Sequence, residues 1–268
     1  MKLGRVQLGQ RDFTVSTFEA LLDSILGAGY ECRPYSDFID ADRSVGKVVI
    51  LRHDVDRRPA SSLRLAQLEH ERGVKGTFYF RANRSSFDRE IIQKIGRLGH
   101  EVGYHYEDLA AANGNRAVAL NSFERNLKRL REIVPVRTIC MHGSPLSKWD
   151  NSALWQKGVH YGAYGIEGEP YLDLDFTRIG YLTDTGRRWD GSASIRDKVR
   201  GEGHARFQST FDVMRAFTTK RMPRQLMLTV HPQRWTESLG PWAAELVAQN
   251  VKNQVKRLII ALRRATSL

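Results

Sequence analysis

The 268-residue chain carries 42 Lys and Arg against 30 Asp and Glu, a formal net charge of +12, and only two cysteines. That length supports one large domain with a sizeable core, while Cys32 and Cys140, far apart, exclude a disulfide framework and favour a reducing compartment. The charge favours anionic partners, meaning phosphate- or uronate-bearing substrates or an anionic membrane surface; without a recognisable nucleic-acid module, no nucleic-acid partner is expected.

Arg5, Arg11, Asp12 and Glu19 interrupt the N-terminal region before any apolar run long enough for a signal peptide, and no 18-residue uncharged apolar run occurs. A soluble cytoplasmic protein is therefore expected. No linker, low-complexity tract or repeat divides the chain, so residues 1–268 read as one domain, with an N-terminal helical region (1–45) and a basic C-terminal helix (241–268) as additions.

In chain order, Ser16-x-x-Glu19 has capping-box spacing, and Phe18, Leu21, Leu22 and Ile25 follow at helical period until Gly27 and Gly29. Val48-Val49-Ile50-Leu51 then reads as a strand buried on both faces, ending in Arg52-His53-Asp54-Val55-Asp56. A helix is predicted over 60–72, with Gly73 as its C-cap, then a strand at Gly76–Phe80. Helix 87–98, strand 101–105, helix 120–133 and strand 136–141 continue the alternation. Beyond position 150 the pattern loosens to strands at 178–183 and 225–230 and a helix near 210–219. Strands separated by single helices imply right-handed βαβ units and a parallel sheet; the periodicity leaves a closed barrel and an open doubly wound sheet both open.

In either architecture the site lies at the C-terminal ends of the strands. Residues two apart in a strand share a face, so Asp54 and Asp56 would point to one place; on this motif alone, carboxylates capping the next helix are an equal reading. Four further polar clusters end strands: His105–Asp108, Met141–Pro145, Asp184–Asp190 and His231-Pro232. Imidazole and carboxylate donors gathered at one end suit a catalytic divalent cation such as zinc. His105, His142 and His231 are the strand-end histidines; His53 alternates away, His100 begins its strand, and His70, His160 and His204 have no motif context.

These residues resemble the NodB-homology polysaccharide deacetylases. Val49–Asp56 looks like the first motif of that family, Gly73–Phe80 its second-strand signature, Leu98–His105 the segment delivering a metal-binding histidine, and Leu228–Pro232 the closing motif. The resemblance implies a distorted (β/α) barrel that removes an N-acetyl group from a sugar. It implies Asp54 as the base, Asp56 and His105 as metal ligands, and His231 as the acid that protonates the leaving amine. The metal would be zinc, with cobalt, nickel or manganese as alternatives.

The chain departs from the pattern at Leu109, where the family carries its second metal histidine. His142, in the Gly/Pro-framed Met141–Pro145 turn, is preferred as the third ligand, with Glu107 second. This arrangement is similar to a subgroup associated with bacterial surface-polysaccharide assembly, including O-antigen clusters, whose substrates would be N-acetylated sugars as nucleotide- or lipid-linked precursors or as polysaccharide. Two other readings stay open: a catalytically impaired barrel that binds glycan or acts as a scaffold, and a different metal hydrolase acting on a phosphoester or cyclic amide.

Trp149, Trp155 and Trp189, with Tyr161, Tyr164 and Tyr171, lie in the irregular region, where packing is the default role. Arg187 and Trp189 are the candidate substrate contacts. In the last helix Val247, Val251, Val255, Leu258, Ile259 and Leu262 form an apolar stripe, with Lys252, Lys256, Arg257, Arg263 and Arg264 mostly off it. The stripe either packs on the barrel or brings the helix to an anionic membrane.

Overall fold

The computed structural model describes residues 11–41, 46–156, 158–191 and 207–265, the side chains of 255–265 excepted. Its centre is a seven-stranded sheet, parallel throughout, in the order β5-β4-β3-β2-β7-β6, with β1 also pairing β2. The strands are β1 (Glu31–Arg33), β2 (Val48–Val55), β3 (Thr77–Phe80), β4 (Glu101–Tyr106), β5 (Ile139–Met141), β6 (Gly180–Thr183) and β7 (Gln225–Val230). The helices are α1 (Val15–Gly27), α2 (Tyr35–Asp40), α3 (Pro59–Glu71), α4 (Arg89–Arg97), α5 (Asp108–Ala111), α6 (Arg116–Arg131), α7 (Pro170–Asp173), α8 (Thr210–Thr218) and α9 (Leu239–Ala265).

The alternation read from the sequence is present, and the sheet curls into the distorted barrel expected. Helix α1 starts earlier than the Ser16-x-x-Glu19 spacing predicts: Thr14 is its cap, accepting from the Thr17 N–H at 3.0 Å, while Ser16 bonds Glu237 and Glu19 pairs with Arg72. The cap is decided by tertiary partners that a local motif does not contain.

All eight residues of β2 are buried, and the period of two sorts them. Val49 and Leu51 pack outward against α1, α3 and α8, and Val55 joins the outer cluster under α4 and α6. Val48 and Ile50 face the lumen with Tyr181 and Met227. The lumen then turns polar upward: Arg52 stands in register with Thr77 on one side and Thr229 on the other, and Asp54 with Tyr79. Tyr79 crosses the lumen to bond Thr138 at 2.9 Å, which needs Gly103 in between. A Cβ at Gly103 would lie 2.3 Å from the Tyr79 ring.

Among the described residues no ladder joins β5 to β6, so the barrel is not closed by strands. The segment just before and through α7 fills the gap. Ile139 donates to the Gly168 carbonyl at 3.1 Å, the Met141 N–H donates to the Glu169 carboxylate at 2.8 Å, and Tyr171 meets Tyr181 of β6 hydroxyl to hydroxyl at 2.9 Å.

Helix α9 turns a polar face inward. Glu245 and Gln249 are each 4% exposed, Arg57 pairs with Glu245, and Asn253 donates to the Gly186 carbonyl. Val247 and Val251 point to solvent, contrary to a stripe packed on the barrel. The side chains of Val255, Lys256, Arg257, Leu258, Ile259, Leu262, Arg263 and Arg264 lie outside the described residues, as does His204. Among the described residues no helix is long and apolar enough to cross a membrane.

Candidate functional site

The strand ends of β2, β4, β5 and β7 deliver Asp54, Asp56, His105, His142 and His231 to one place. His105 Nε2 lies 3.8 Å from Asp56 Oδ1 and 3.6 Å from Asp54 Oδ2. His142 Nε2 lies 3.6 Å from Asp56 Oδ1, and His231 Nε2 4.0 Å from Asp56 Oδ2. β5 and β2 are separated by two strands, so contact between His142 and Asp56 depends on the curl of the sheet.

Each imidazole is oriented from behind. His105 Nδ1 sits 2.9 Å from the Cys140 carbonyl and donates to it, which leaves the Nε2 lone pair facing the two aspartates. Burial pushes the His105 pKa down to about 4 against the pull of Asp54, so the ring is a neutral donor at neutral pH. His142 Nδ1 faces Glu107 at 3.2 Å and Ser144 at 3.0 Å; burial works against its charged form, but Glu107 and Asp56 raise its pKa on balance. Glu107 is itself gripped by Arg81, with contacts of 3.0 and 2.5 Å, and by Asn83. Burial opposes its charge, but His142 and Arg81 hold it down to about 2. Glu107 thus backs His142 and does not face Asp56.

Asp54 is bound bidentately by Arg52, at 2.8 and 2.7 Å, with the guanidinium over the rings of Tyr79 and Tyr171. Burial alone would raise its pKa; Arg52, His105 and His231 outweigh burial and keep it ionised, well below the usual carboxylate range. Asp56 is lowered in the same way, its burial overcome by His142, His231 and His105. Asp56 Oδ2 accepts from Gln233 at 3.3 Å, whereas the buried Oδ1, between His105 and His142, has no hydrogen-bond donor among the described residues.

The sequence reading assigned no role to Asp184. This fully buried carboxylate at the end of β6 accepts from His231 Nδ1 at 2.6 Å, the His231 N–H at 3.0 Å, Trp235 Nε1 at 2.9 Å and Arg234 Nη1. Burial pushes its pKa up, but Arg234 and His231 hold it below the ordinary value. It therefore fixes the His231 tautomer with Nε2 toward the cluster. The available signal was its place in a strand-end cluster, but only the β6–β7 register aims it at His231.

Arg187 and Trp189 are not brought to the cluster. Trp189 is 1% exposed, packed with Phe13 and Trp235 and bonded to Thr210 at 3.0 Å, so its ring has no face to offer a sugar. Arg187 lies between the rings of Phe13 and Trp242. Leu109 is a core residue of α5 and does not line the site. His53 and His100 sit outside the sheet around the buried Glu69, and His70 and His160 are exposed.

Asp56, His105 and His142 fit a divalent cation by three criteria: two oriented Nε2 lone pairs, carboxylate and carbonyl groups behind them, and a buried carboxylate oxygen with no donor. Among the described residues no three such side chains are already drawn to coordination distance. Separations of 3.6 and 3.8 Å exceed the edge of a tetrahedral zinc shell, roughly 3.4 Å, by a few tenths of an ångström, within the reach of small side-chain rotations.

No family model matches the sequence, and no curated protein matches it. Solved structures similar to this chain include a CE4 family pseudoenzyme from Bacillus anthracis, at 13% identity and a TM-score of 0.44 over 79% of this chain and 62% of that one. The chain thus spans less than two thirds of that protein's length. A family 4 carbohydrate esterase from Streptomyces lividans in complex with acetate is similar at 13% identity and TM-score 0.43, covering 79% and 90%. The peptidoglycan deacetylase PdaC from Bacillus subtilis is similar at 11% identity and TM-score 0.44, covering 85% and 97%.

Proposed function

We propose that the chain is a metal-dependent N-deacetylase that hydrolyses the acetamide of an N-acetylated sugar, on a nucleotide- or lipid-linked precursor or on polysaccharide, during surface-polysaccharide assembly of the O-antigen kind. The observation that carries this reading is the donorless Asp56 Oδ1 between His105 and His142, with an ionised carboxylate, Asp54, on one side and a carboxylate-backed imidazole, His231, on the other. A cation held by Asp56, His105 and His142, with zinc the best match to the donors and cobalt, nickel or manganese as alternatives, would polarise the acetyl carbonyl and acidify water.

The chain's own residues supply the rest. Asp54 orients the attacking water and takes its proton as the new C–O bond forms. Arg52 keeps Asp54 anionic in a buried setting, at some cost in basicity, so Asp54 suits water that is already acidified. His231, protonated on Nε2, gives that proton to the sugar nitrogen as the C–N bond breaks, and Asp184 stabilises the imidazolium. Acetate and a free amine leave. The basic surface suits a phosphate-bearing or acidic carrier.

The test is metal binding followed by acetate release. Zinc or cobalt at 100 times its Kd stabilises the folded protein by about 2.7 kcal/mol, and Asp56→Ala and His142→Ala abolish both that stabilisation and acetate release from N-acetylated nucleotide- or lipid-linked sugars. If neither metal shifts the unfolding midpoint, the reading fails. The second reading, a glycan-binding barrel without turnover, is favoured by Leu109 standing where the resemblance calls for a histidine; wild-type glycan binding with a biological activity untouched by Asp54→Asn would establish it.

A further inference from the structure

The turn after β6 also borders a cavity of about 370 Å³. Its wall combines Asp12 and Phe13 from before α1, Arg187 from the turn, and Trp242, Asn250 and Gln254 from α9. Arg187 is only 7% exposed, and its guanidinium carbon lies 4.8 Å from the Phe13 ring centre and 5.0 Å from that of Trp242. Its Nη2 makes one long bond, 3.4 Å, to the Asp12 carbonyl. Nε and Nη1 are buried and have no hydrogen-bond partner among the described residues.

The Asp12 carboxylate in the same wall does not satisfy them. Asp12 turns its oxygens to the Phe13 and Thr210 N–H groups, at 2.7 and 2.9 Å. The backbone at Arg187 is left-handed, φ +57°, which a non-glycine residue adopts at a cost on the order of 1 kcal/mol. A buried guanidinium with unused donors costs more. Burial depresses the Arg187 pKa against the opposing pull of Asp12, Glu245 and Asp184, none of which forms a hydrogen bond from its carboxylate to the guanidinium among the described residues. Two unfavourable terms are thus accepted to hold one cationic fork against a cavity.

We propose that this cavity binds the phosphate group of a small solute, with Arg187 as the principal donor. A tetrahedral anion, with acceptor oxygens in several directions, fits donors arriving from separate elements: Arg187 from the turn and the amides of Asn250 and Gln254 from α9. A planar carboxylate offers only two oxygens. The volume exceeds that of the ion alone and admits an attached sugar beside Trp242. The site stands independently of the hydrolase reading, since none of its residues belongs to the Asp56 cluster.

Calorimetric titration of the full-length protein at fixed ionic strength with inorganic phosphate, glucose 1-phosphate and acetate tests it. Saturable phosphate binding is expected, with none for acetate. Arg187→Gln weakens it at least tenfold, since a charge-assisted bond contributes about 1.5–3 kcal/mol and tenfold corresponds to about 1.4. Asn250→Asp, on the exposed side of α9, weakens it by adding negative charge without disturbing the core, and decides the matter if Arg187→Gln does not fold. Glucose 1-phosphate binding more tightly than phosphate identifies a sugar phosphate as the natural source; equal affinity identifies the free ion. No saturable phosphate binding, acetate binding as tightly as phosphate, or wild-type affinity in a folded Arg187→Gln or in Asn250→Asp overturns the proposal.

Discussion

Asp184→Asn isolates the role of the carboxylate behind His231. In the wild type that group takes hydrogen bonds from His231 Nδ1, the His231 backbone, Trp235 and Arg234, with no solvent exposure. The neutral amide leaves the Arg234 guanidinium, whose side chain is 9% exposed, without its counter-charge. Breaking a buried pair on one side costs about 3–5 kcal/mol, and for a domain of this size each kcal/mol moves the unfolding midpoint by about 2–4 °C. A fall of roughly 6–20 °C is expected. An amide NH2 turned toward Nδ1 also selects the opposite tautomer of His231, a change that lowers kcat by on the order of 10⁴ in a serine-protease triad. Urea unfolding and acetate release, scored per folded molecule, separate the two effects. Trp235→Phe, which removes one of the four donors, should cost only about 1–3 kcal/mol. An Asp184→Asn protein with a wild-type midpoint would show that the buried pair does not exist. One that is destabilised but releases acetate at the wild-type rate would remove His231 orientation from the mechanism.

Gly103→Ala places a methyl 2.3 Å from the Tyr79 ring and 2.9 Å from the Thr138 carbonyl. It should destabilise by about 1–3 kcal/mol or more, and a double-mutant cycle with Tyr79→Leu should return part of that loss; strict additivity would refute the contact. For Glu169, burial pushes the pKa up to about 7 from an ordinary 4.5, despite three backbone N–H donors. A raised folded-state pKa means the folded protein binds the proton more tightly. The contribution of Glu169 to stability should therefore be highest below pH 4.5, fall by about 3 kcal/mol as pH rises to 7, and level off above that. Denaturant titrations at pH 5 and pH 8 should show this slope in the wild type and a flattened one in Glu169→Gln; identical slopes would refute it.

Much of the barrel was legible because its signal is local. A run such as Val48–Leu51 followed by charge announces a buried strand and its upper end, and alternation sets Asp54 and Asp56 on one face. The same parity, applied to Arg52, would have placed a cation in the lumen beside Asp54, since a charge inside a wholly buried strand must be paired. What could not be read depends on contacts distant in sequence. Asp184 reaches His231 only through the pairing of β6 with β7. Trp189 reads as a loop aromatic placed to contact substrate, yet Phe13 and Trp235 enclose it. The three residues of β1 are too few to show a period. The inward face of α9 is polar, so a rule that apolar stripes face inward mislays it.

The gap between β5 and β6 has a consequence for solubility. An open sheet offers two unpaired edges, each a template for strands from neighbouring molecules. Here the Glu169 carboxylate and the Gly168 carbonyl occupy amide donors along one edge, and the Tyr171–Tyr181 hydroxyl contact ties the same short segment to the other. That segment therefore acts as a guard against self-association, and a change there should register first as precipitation during expression, before any loss of turnover.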